Sequence, residues 1–364
     1  MNTELQGILL MFLLVLAIGI PLGRYIGKIF NYESTVLDKL CNPIDNLFFR
    51  LSGIDPLKEM NWKQHLIALL TINLVWFVLA MFALTNMSWL PLNPDGISSM
   101  SADLAFNTSV SFITNTNLQH YSGETGMSYF GQLTLMLWQF ISAGTGIAIC
   151  AVLFNAMKEK TSQTLGNFYS YFVRSCTRIL FPIAIVVATL LVFNGMPMTF
   201  DGKDAVQSLQ GDSMQVSRGP VAAFVAIKHL GTNGGGFFGA NSAHPFENPS
   251  YLTNVIEMVT QMLIPIAMIF ALGYVINRRK MSWMIFGVMS IGFLLLTIPT
   301  VIQEMKGSPE INKLGIEQPM GSMEGKEVRF GAAATALWSV ATTSTSNGSV
   351  NGMHDSLTPM SGGV

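Results

Sequence analysis

Charge is scarce in this chain. Asp, Glu, Lys and Arg make up 11% of 364 residues, and 20 basic residues nearly balance 21 acidic ones for a net charge of -1. There is no basic stripe, which argues against nucleic acid as a partner. Cysteine is scarce too. Cys41, Cys150 and Cys176 are scattered and lack CxxC spacing, so neither a disulfide framework nor a zinc site is indicated. Cys150 and Cys176, at the ends of apolar runs, read as small packing residues. An Asp-Lys-Thr-Gly phosphorylation motif, a Gly-Lys-Ser/Thr phosphate loop and a sizeable soluble domain are all missing, so the chain does not read as an enzyme.

What is abundant is hydrophobic length. The chain is 50% hydrophobic, with a mean hydropathy of +0.44, and its apolar runs approach the roughly 20 residues needed to cross a bilayer core. Complete spans are expected near 7–30, 64–85, 128–153, 175–194, 252–276 and 282–302, with another apolar stretch beginning near 356. The first run has no basic segment before it and is too long for a secretory signal, so it reads as a retained helix. Arg24 and Lys28 near its far end reach back toward the interface. The 23 Met residues suit helix packing and lipid contact.

Basic connections carry Lys39, Arg50, Lys58 and Lys63, then Lys158, Lys160, Arg174 and Arg178, then Arg278-Arg279-Lys280. The alternate connections are poor in Lys and Arg or balance them with Glu. The positive-inside rule puts the basic set in the cytoplasm and the N-terminus outside. Arg278–Lys280 is most simply this topology signal.

The outer connections share a pattern. Each ends in a short apolar stretch followed by a Thr/Asn/Ser/Gly cluster and then a new span. The stretches are Leu104–Ile113, Val221–Leu230 and Gly331–Ala341, and the clusters are Thr114–Gln119, Gly231–Gly236 and Thr342–Ser349. Stretches of that length read as re-entrant pore helices, and clusters recurring about every 115 residues imply a repeated unit. The fold class expected is an all-α polytopic membrane protein. It is built from helix–pore helix–filter loop–helix units, as in potassium channels, with one extra N-terminal helix. Residues 1–62 form that helix and a cytoplasmic loop, 63–160 the first repeat, 161–280 the second and 281–364 part of a third.

The loops have the chemistry of a site for a dehydrated monovalent cation. Backbone carbonyls and hydroxyls supply oxygens without full negative charge, and a re-entrant helix aims its negative C-terminal end at them. Glycine is expected to free the carbonyls through left-handed dihedrals. No Asp or Glu lies inside the three clusters, which disfavours calcium or magnesium. Unravelled backbone at membrane depth is tolerated only where it is buried in protein or lines a water-filled cavity.

The strings Phe106–Gln119, Leu230–Pro249 (LGTNGGGFFGANSAHPFENP) and Ala341–Pro359 (ATTSTSNGSVNGMHDSLTP), together with Met60–Gln64 and Leu90–Pro94, resemble the KdpA family. That family is the potassium-translocating subunit of the Kdp potassium-transporting ATPase. The resemblance covers the whole chain. It implies four pore repeats after an extra N-terminal helix, so the chain is expected to be incomplete at its C-terminal side. It also implies a channel-like subunit of a high-affinity import complex in the bacterial inner membrane, taking potassium from the periplasm. A P-type ATPase catalytic subunit (KdpB-like) would hydrolyse ATP and a single-span subunit (KdpC-like) would assist. Potassium would be the transported substrate, and no organic cofactor or nucleic acid would be involved. The filter positions carried over are Asn115, Thr116, Asn117 and Gln119; Thr232, Asn233, Gly234 and Asn241; and Thr345, Ser346, Asn347 and Gly348.

Other readings of these residues stand beside this one. The Gly-rich loop lacks the Lys and preceding strand of a phosphate cradle, and the Phe- and Pro-bearing string after it is not linker composition. His244 and His354 lack companions for a metal site and read as hydrogen-bonded loop residues. Glu247 and Asp355 suit either a cation-attracting mouth or helix capping. A stand-alone potassium channel or symporter needs the same filter. The residues alone leave that alternative open, while the resemblance favours the ATPase-associated subunit.

Overall fold

The computed structural model describes residues 3–158 and 163–363. Lys160 of the second basic connection and the first two residues of the N-terminus, expected outside, lie beyond the described residues. The helices are α1 (Thr3–Phe30), α2 (Asp38–Ser52), α3 (Trp62–Asn86), α4 (Ala102–Ile113), α5 (Gly123–Gly126), α6 (Tyr129–Lys158) and α7 (Phe168–Arg174). A π-helical turn, Ser175–Leu180, joins α7 to α8 (Phe181–Phe193). Then come α9 (Val221–Leu230), α10 (Tyr251–Val275), α11 (Arg279–Lys306), α12 (Pro309–Lys313), α13 (Gly331–Ser344) and α14 (Pro359–Gly362). A short antiparallel hairpin, β1 (Asp204–Gln207) with β2 (Ser213–Val216), projects from the connection between α8 and α9.

Among the described residues six helices are long and apolar enough to cross a membrane, and each overlaps one of the expected spans. Their starts follow from local chemistry. Asn61 accepts from the Gln64 amide N–H at 3.1 Å while the Gln64 side chain accepts from the Asn61 N–H at 2.9 Å, a capping box that opens α3. Ser250 and Thr253 do the same for α10. The fourth span begins at Phe168 rather than near 175. The Asn167 side chain caps the Ser170 N–H at 3.0 Å, and its Nδ2 is anchored on the Lys58 carbonyl at 2.8 Å.

That earlier start carries Arg174 and Arg178 into the helix, where they no longer belong to a connecting loop. Arg178 is fully buried. It is ion-paired with Asp45 and, at 3.1 Å, with Asp38, and it donates to Asn42 Oδ1 at 2.6 Å. All three partners lie in or next to the first turns of α2, a helix expected only as loop. Cys41 and Asp45 of α2 face inward, while Leu40, Ile44, Leu47 and Phe48 are exposed. Cys41 is the buried cysteine, and Cys150 and Cys176 are half-buried.

At the centre lies α10, 72% buried over its most apolar stretch against 17% for α3 and α11. It packs along α1 through a stripe of small residues, Gly19, Gly23 and Gly27. A Cβ at Gly23 would stand 2.6 Å from Phe270 Cβ, and one at Gly27 2.6 Å from the Tyr274 ring. Close helix approach of this kind is the usual driving contact between helices in lipid. The three short helices α4, α9 and α13 are too short to span and are each followed by non-helical backbone.

Candidate functional site

The three short helices end in the same way. Thr114, Gly231 and Thr345 each donate their N–H to the carbonyl four residues back: Val110, Ile227 and Ala341. The next residue is left-handed in every case: Asn115 (φ 64), Thr232 (φ 51) and Ser346 (φ 54). The residue after that donates its N–H five residues back, Thr116 to Ser111 at 2.9 Å, Asn233 to Lys228 at 2.8 Å and Asn347 to Thr342 at 2.8 Å. This is the Schellman helix end. Its left-handed position usually holds glycine, and here it holds Asn, Thr and Ser. A β-branched residue at positive φ is an outlier held by its surroundings.

The glycines of the second loop have a different role from the one expected. Gly231, Gly234, Gly235 and Gly236 do not have positive φ; the left-handed residue is Thr232. What these glycines allow is close approach. A Cβ at Gly234 would lie 2.9 Å from the Asn347 carbonyl oxygen and 3.0 Å from Gly348 Cα, and one at Gly235 would lie 2.5 Å from the Phe112 ring. In the third loop Gly348 is itself left-handed (φ 87).

The loops meet in sequence order. Asn115 of the first donates to the Gly231 carbonyl at 3.2 Å and accepts from the Asn233 amide. Gln119 makes a reciprocal pair with Gly236, donating to its carbonyl and accepting its N–H, both at 2.8 Å. The second loop meets the third at Gly234 and Gly348, and again where Ser349 donates to Asn241 Oδ1 at 3.0 Å. Among the described residues no hydrogen bond joins the first loop to the third.

The remaining candidates take varied positions. Thr116 is exposed and shares a hydroxyl contact of 3.0 Å with Thr114. Asn117 is left-handed (φ 55) and buried. Thr345 hydrogen-bonds back to the Ala341 carbonyl at 2.8 Å, as a capping hydroxyl does. Asn347 Oδ1 accepts the Ser349 N–H at 3.0 Å. Both side-chain polar atoms of Asn117, Oδ1 of Asn233 and Nδ2 of Asn347 are buried without a hydrogen-bond partner. Orphaned amides in this density are uncommon in native proteins. Asn241 stands apart from the loop turns. Its Nδ2 donates to the Gly234 carbonyl at 2.6 Å, and its Oδ1 faces Lys228 at 3.0 Å.

Several neighbours of the loops were not singled out from sequence. Ser142 donates to Asn115 Oδ1 at 2.8 Å, Gln139 to the Gly235 carbonyl at 2.7 Å and Gln132 to the Phe237 carbonyl at 3.0 Å, all from α6. His229 and Ser242 each lie 2.8 Å from Glu257 Oε2. The signal available was polarity inside apolar helices, which within a membrane marks function or structure at a premium. Glu247 is neither at a mouth nor a helix cap. It is fully buried and pairs with Lys228 at 2.6 Å, while its other oxygen accepts the Phe238 N–H at 2.7 Å. His244 stacks on Phe238 with 3.7 Å between ring centres and accepts the Phe246 N–H at 3.1 Å. Burial holds its imidazole below the usual histidine range, so it stays neutral.

A cavity of about 520 Å³ lies under the ends of α4 and α9. It is lined by Asn115, Thr232, Ser142 and Thr145, and by Asn73 of α3 and Pro265 of α10. Its wall is thus continuous with the left-handed residues of the first two loops.

The family model described as "KdpA: Potassium-transporting ATPase A subunit" matches residues 9–364. The chain belongs to this family. It is 60% identical over its whole length to the potassium-transporting ATPase potassium-binding subunit of Flavobacterium johnsoniae. It is 53% identical to the protein of that name from Bacteroides thetaiotaomicron, again over 100% of the chain. Identity to the one from Geobacillus kaustophilus is 45% over 97% of the chain. The chain spans 64%, 64% and 63% of the length of these three relatives.

Proposed function

We propose that this chain is the potassium-binding and translocating part of an ATP-driven, high-affinity potassium import system, and that its three loops line a selectivity filter. The observation that carries this reading is the threefold Schellman helix end, with the first loop bonded to the second and the second packed on the third. Contact in that order is what neighbours around one axis require. Each helix presents the negative end of its dipole and a run of neutral carbonyl and hydroxyl oxygens, a field suited to a dehydrated monovalent cation. Residues 63–160, 161–280 and 281–364 are then successive units after the N-terminal helix.

The relatives' name, potassium-transporting ATPase potassium-binding subunit, supports a place in a larger complex over a stand-alone channel. In that complex ATP hydrolysis belongs to a separate P-type catalytic subunit, with a single-span accessory subunit beside it. The chain sits in the bacterial inner membrane with its N-terminus in the periplasm and the Arg278–Lys280 connection in the cytoplasm. Lipid-facing surfaces such as α3 and α11 complete the environment.

The test uses the full-length protein assembled with its ATPase. Potassium should stimulate ATP hydrolysis at far lower concentration than sodium, and Gly234→Ser should erode that preference. A Gly234→Ser complex with the wild-type activation curve for both ions would overturn the filter reading. Orientation is tested separately with Arg279→Cys in intact cells: an impermeant thiol reagent should not label it, and labelling from outside would reverse the topology.

A further inference from the structure

Lys228 is an ammonium buried to 0% exposure beside an equally buried Glu247 carboxylate. Taking such a pair out of water is expensive and is tolerated only when every donor is used. Here the three ammonium protons have three acceptors: Glu247 Oε2 at 2.6 Å, Ser242 Oγ at 2.7 Å and Asn241 Oδ1 at 3.0 Å. An ammonium only donates, so together with the Ser242 N–H at 2.9 Å it holds the oxygen of the Asn241 amide toward itself. The amide nitrogen is thereby aimed at the Gly234 carbonyl, 2.6 Å away. The left-handed backbone of Asn241 (φ 55) fixes where this side chain starts. The same Lys228 also holds the loop through its backbone, since its carbonyl accepts the Asn233 N–H at 2.8 Å.

We infer that Lys228, held by Glu247, is a positioning residue that sets the direction of the Gly234 carbonyl through Asn241 and so sets cation discrimination at the second loop. This rests on the reading of the loops as a filter. Asn241 acts as the relay, with Ser349 on the same oxygen tying the third loop to the arrangement. The matching helix position in the first loop is Ser111 and in the third Thr342, both uncharged, so only the second loop carries this device among the described residues.

The experiment measures ATPase activation by potassium, rubidium and ammonium in the full-length complex. Lys228→Met/Glu247→Gln removes both charges together, which avoids stranding one in the interior. Asn241→Gly deletes the relay, keeps the ion pair and suits the left-handed backbone. Each should raise the half-activating potassium concentration about tenfold, the scale of losing one oriented hydrogen bond in a buried site, and should compress the potassium-to-rubidium ratio. Maximal rate should stay near wild type in Lys228→Met/Glu247→Gln, neither residue of which belongs to the loops' cation-facing positions. If the double variant fails to assemble, Asn241→Gly decides alone. Wild-type activation ratios in Asn241→Gly, with Gly234→Ser altering them, would overturn the positioning role and leave the filter intact. If Gly234→Ser also leaves the ratios unchanged, the filter reading itself falls and the inference with it.

Discussion

The first and second loops leave their helices through one backbone turn and are then held by different chemistry. Around the first loop every support is neutral. The Ser111 hydroxyl accepts the Leu118 N–H at 2.7 Å, Ser142 reaches Asn115 at 2.8 Å, and Thr114, Thr116 and Leu118 are exposed. Gly231 and Asn233 through Phe238 of the second loop and its extension are buried, with carbonyls taken by Asn241, Gln139 and Gln132 and a buried ion pair behind them. Backbone identity therefore does not mean equal stiffness. The second loop has the larger set of buried supports, and the first bonds to it through Asn115 and Gln119.

The most direct way to break this comparison is to remove the support unique to the second loop. Glu247→Ala strands the Lys228 ammonium in the interior and takes away the acceptor of the Phe238 N–H. Breaking one side of a buried pair costs about 3–5 kcal/mol. Ser111→Ala, at the first-loop position that matches Lys228, removes one neutral hydrogen bond worth about 1 kcal/mol. Thermal unfolding of the purified complex should rank Glu247→Ala far below Ser111→Ala. Equal losses would mean that the two loops are held alike.

Next in size is Gly234→Ser. The added Cβ would stand 2.9 Å from the Asn347 oxygen and 3.0 Å from Gly348 Cα, both backbone atoms that move only with the third loop. Overpacking of this kind costs about 1–3 kcal/mol. Because the strain falls between loops, it should appear more in cation preference than in unfolding temperature. Asn115→Gly follows, at about 1–2 kcal/mol, since it leaves the Asn233 amide without its acceptor. It should loosen the first loop, which ion-activation curves would report as weaker potassium half-activation with the second loop intact.

Much of this architecture is legible in the sequence, for physical reasons that also mark where legibility stops. The spans declare themselves because lipid demands continuous apolar runs. The loop turns fall in Thr/Asn/Ser/Gly clusters because the helices must end there. The start of the fourth span at Phe168 is hidden because Phe168–Arg174 mixes aromatic with polar residues. The helix α2 is hidden for the opposite reason: Asp45 faces the protein and Leu40, Ile44 and Phe48 face out, inverting the amphipathic pattern of a soluble helix. Its partner Arg178 is far away in sequence. Asn241 is legible as a candidate, but its link to Lys228 is not, because they stand 13 positions apart across the end of α9 and the loop after it, and only the fold brings them together. The role of the second-loop glycines is hidden on the same ground, whereas Gly348 of the third loop takes the left-handed conformation expected of it. Left-handed dihedrals are a local property, whereas the approach of Gly234 to Gly348 depends on two segments more than a hundred residues apart.

The smallest expected effect concerns the left-handed residue of the second loop. Thr232 is β-branched at φ 51, and its hydroxyl donates only to the neighbouring Gly231 carbonyl, at 2.7 Å. A left-handed L-residue costs roughly 1–2 kcal/mol, and glycine removes that cost while giving back part of it as unfolded-state entropy. Thr232→Gly should therefore leave stability unchanged or raise it by up to about 1 kcal/mol. Asn115→Gly, at the matching position, should lower it, because asparagine tolerates the conformation and its amide bonds the second loop. Opposite signs in paired unfolding measurements would establish that the strained residue in the second loop is carried by its rigid surroundings. A loss at Thr232 as large as that at Asn115 would show instead that the threonine side chain itself holds the turn.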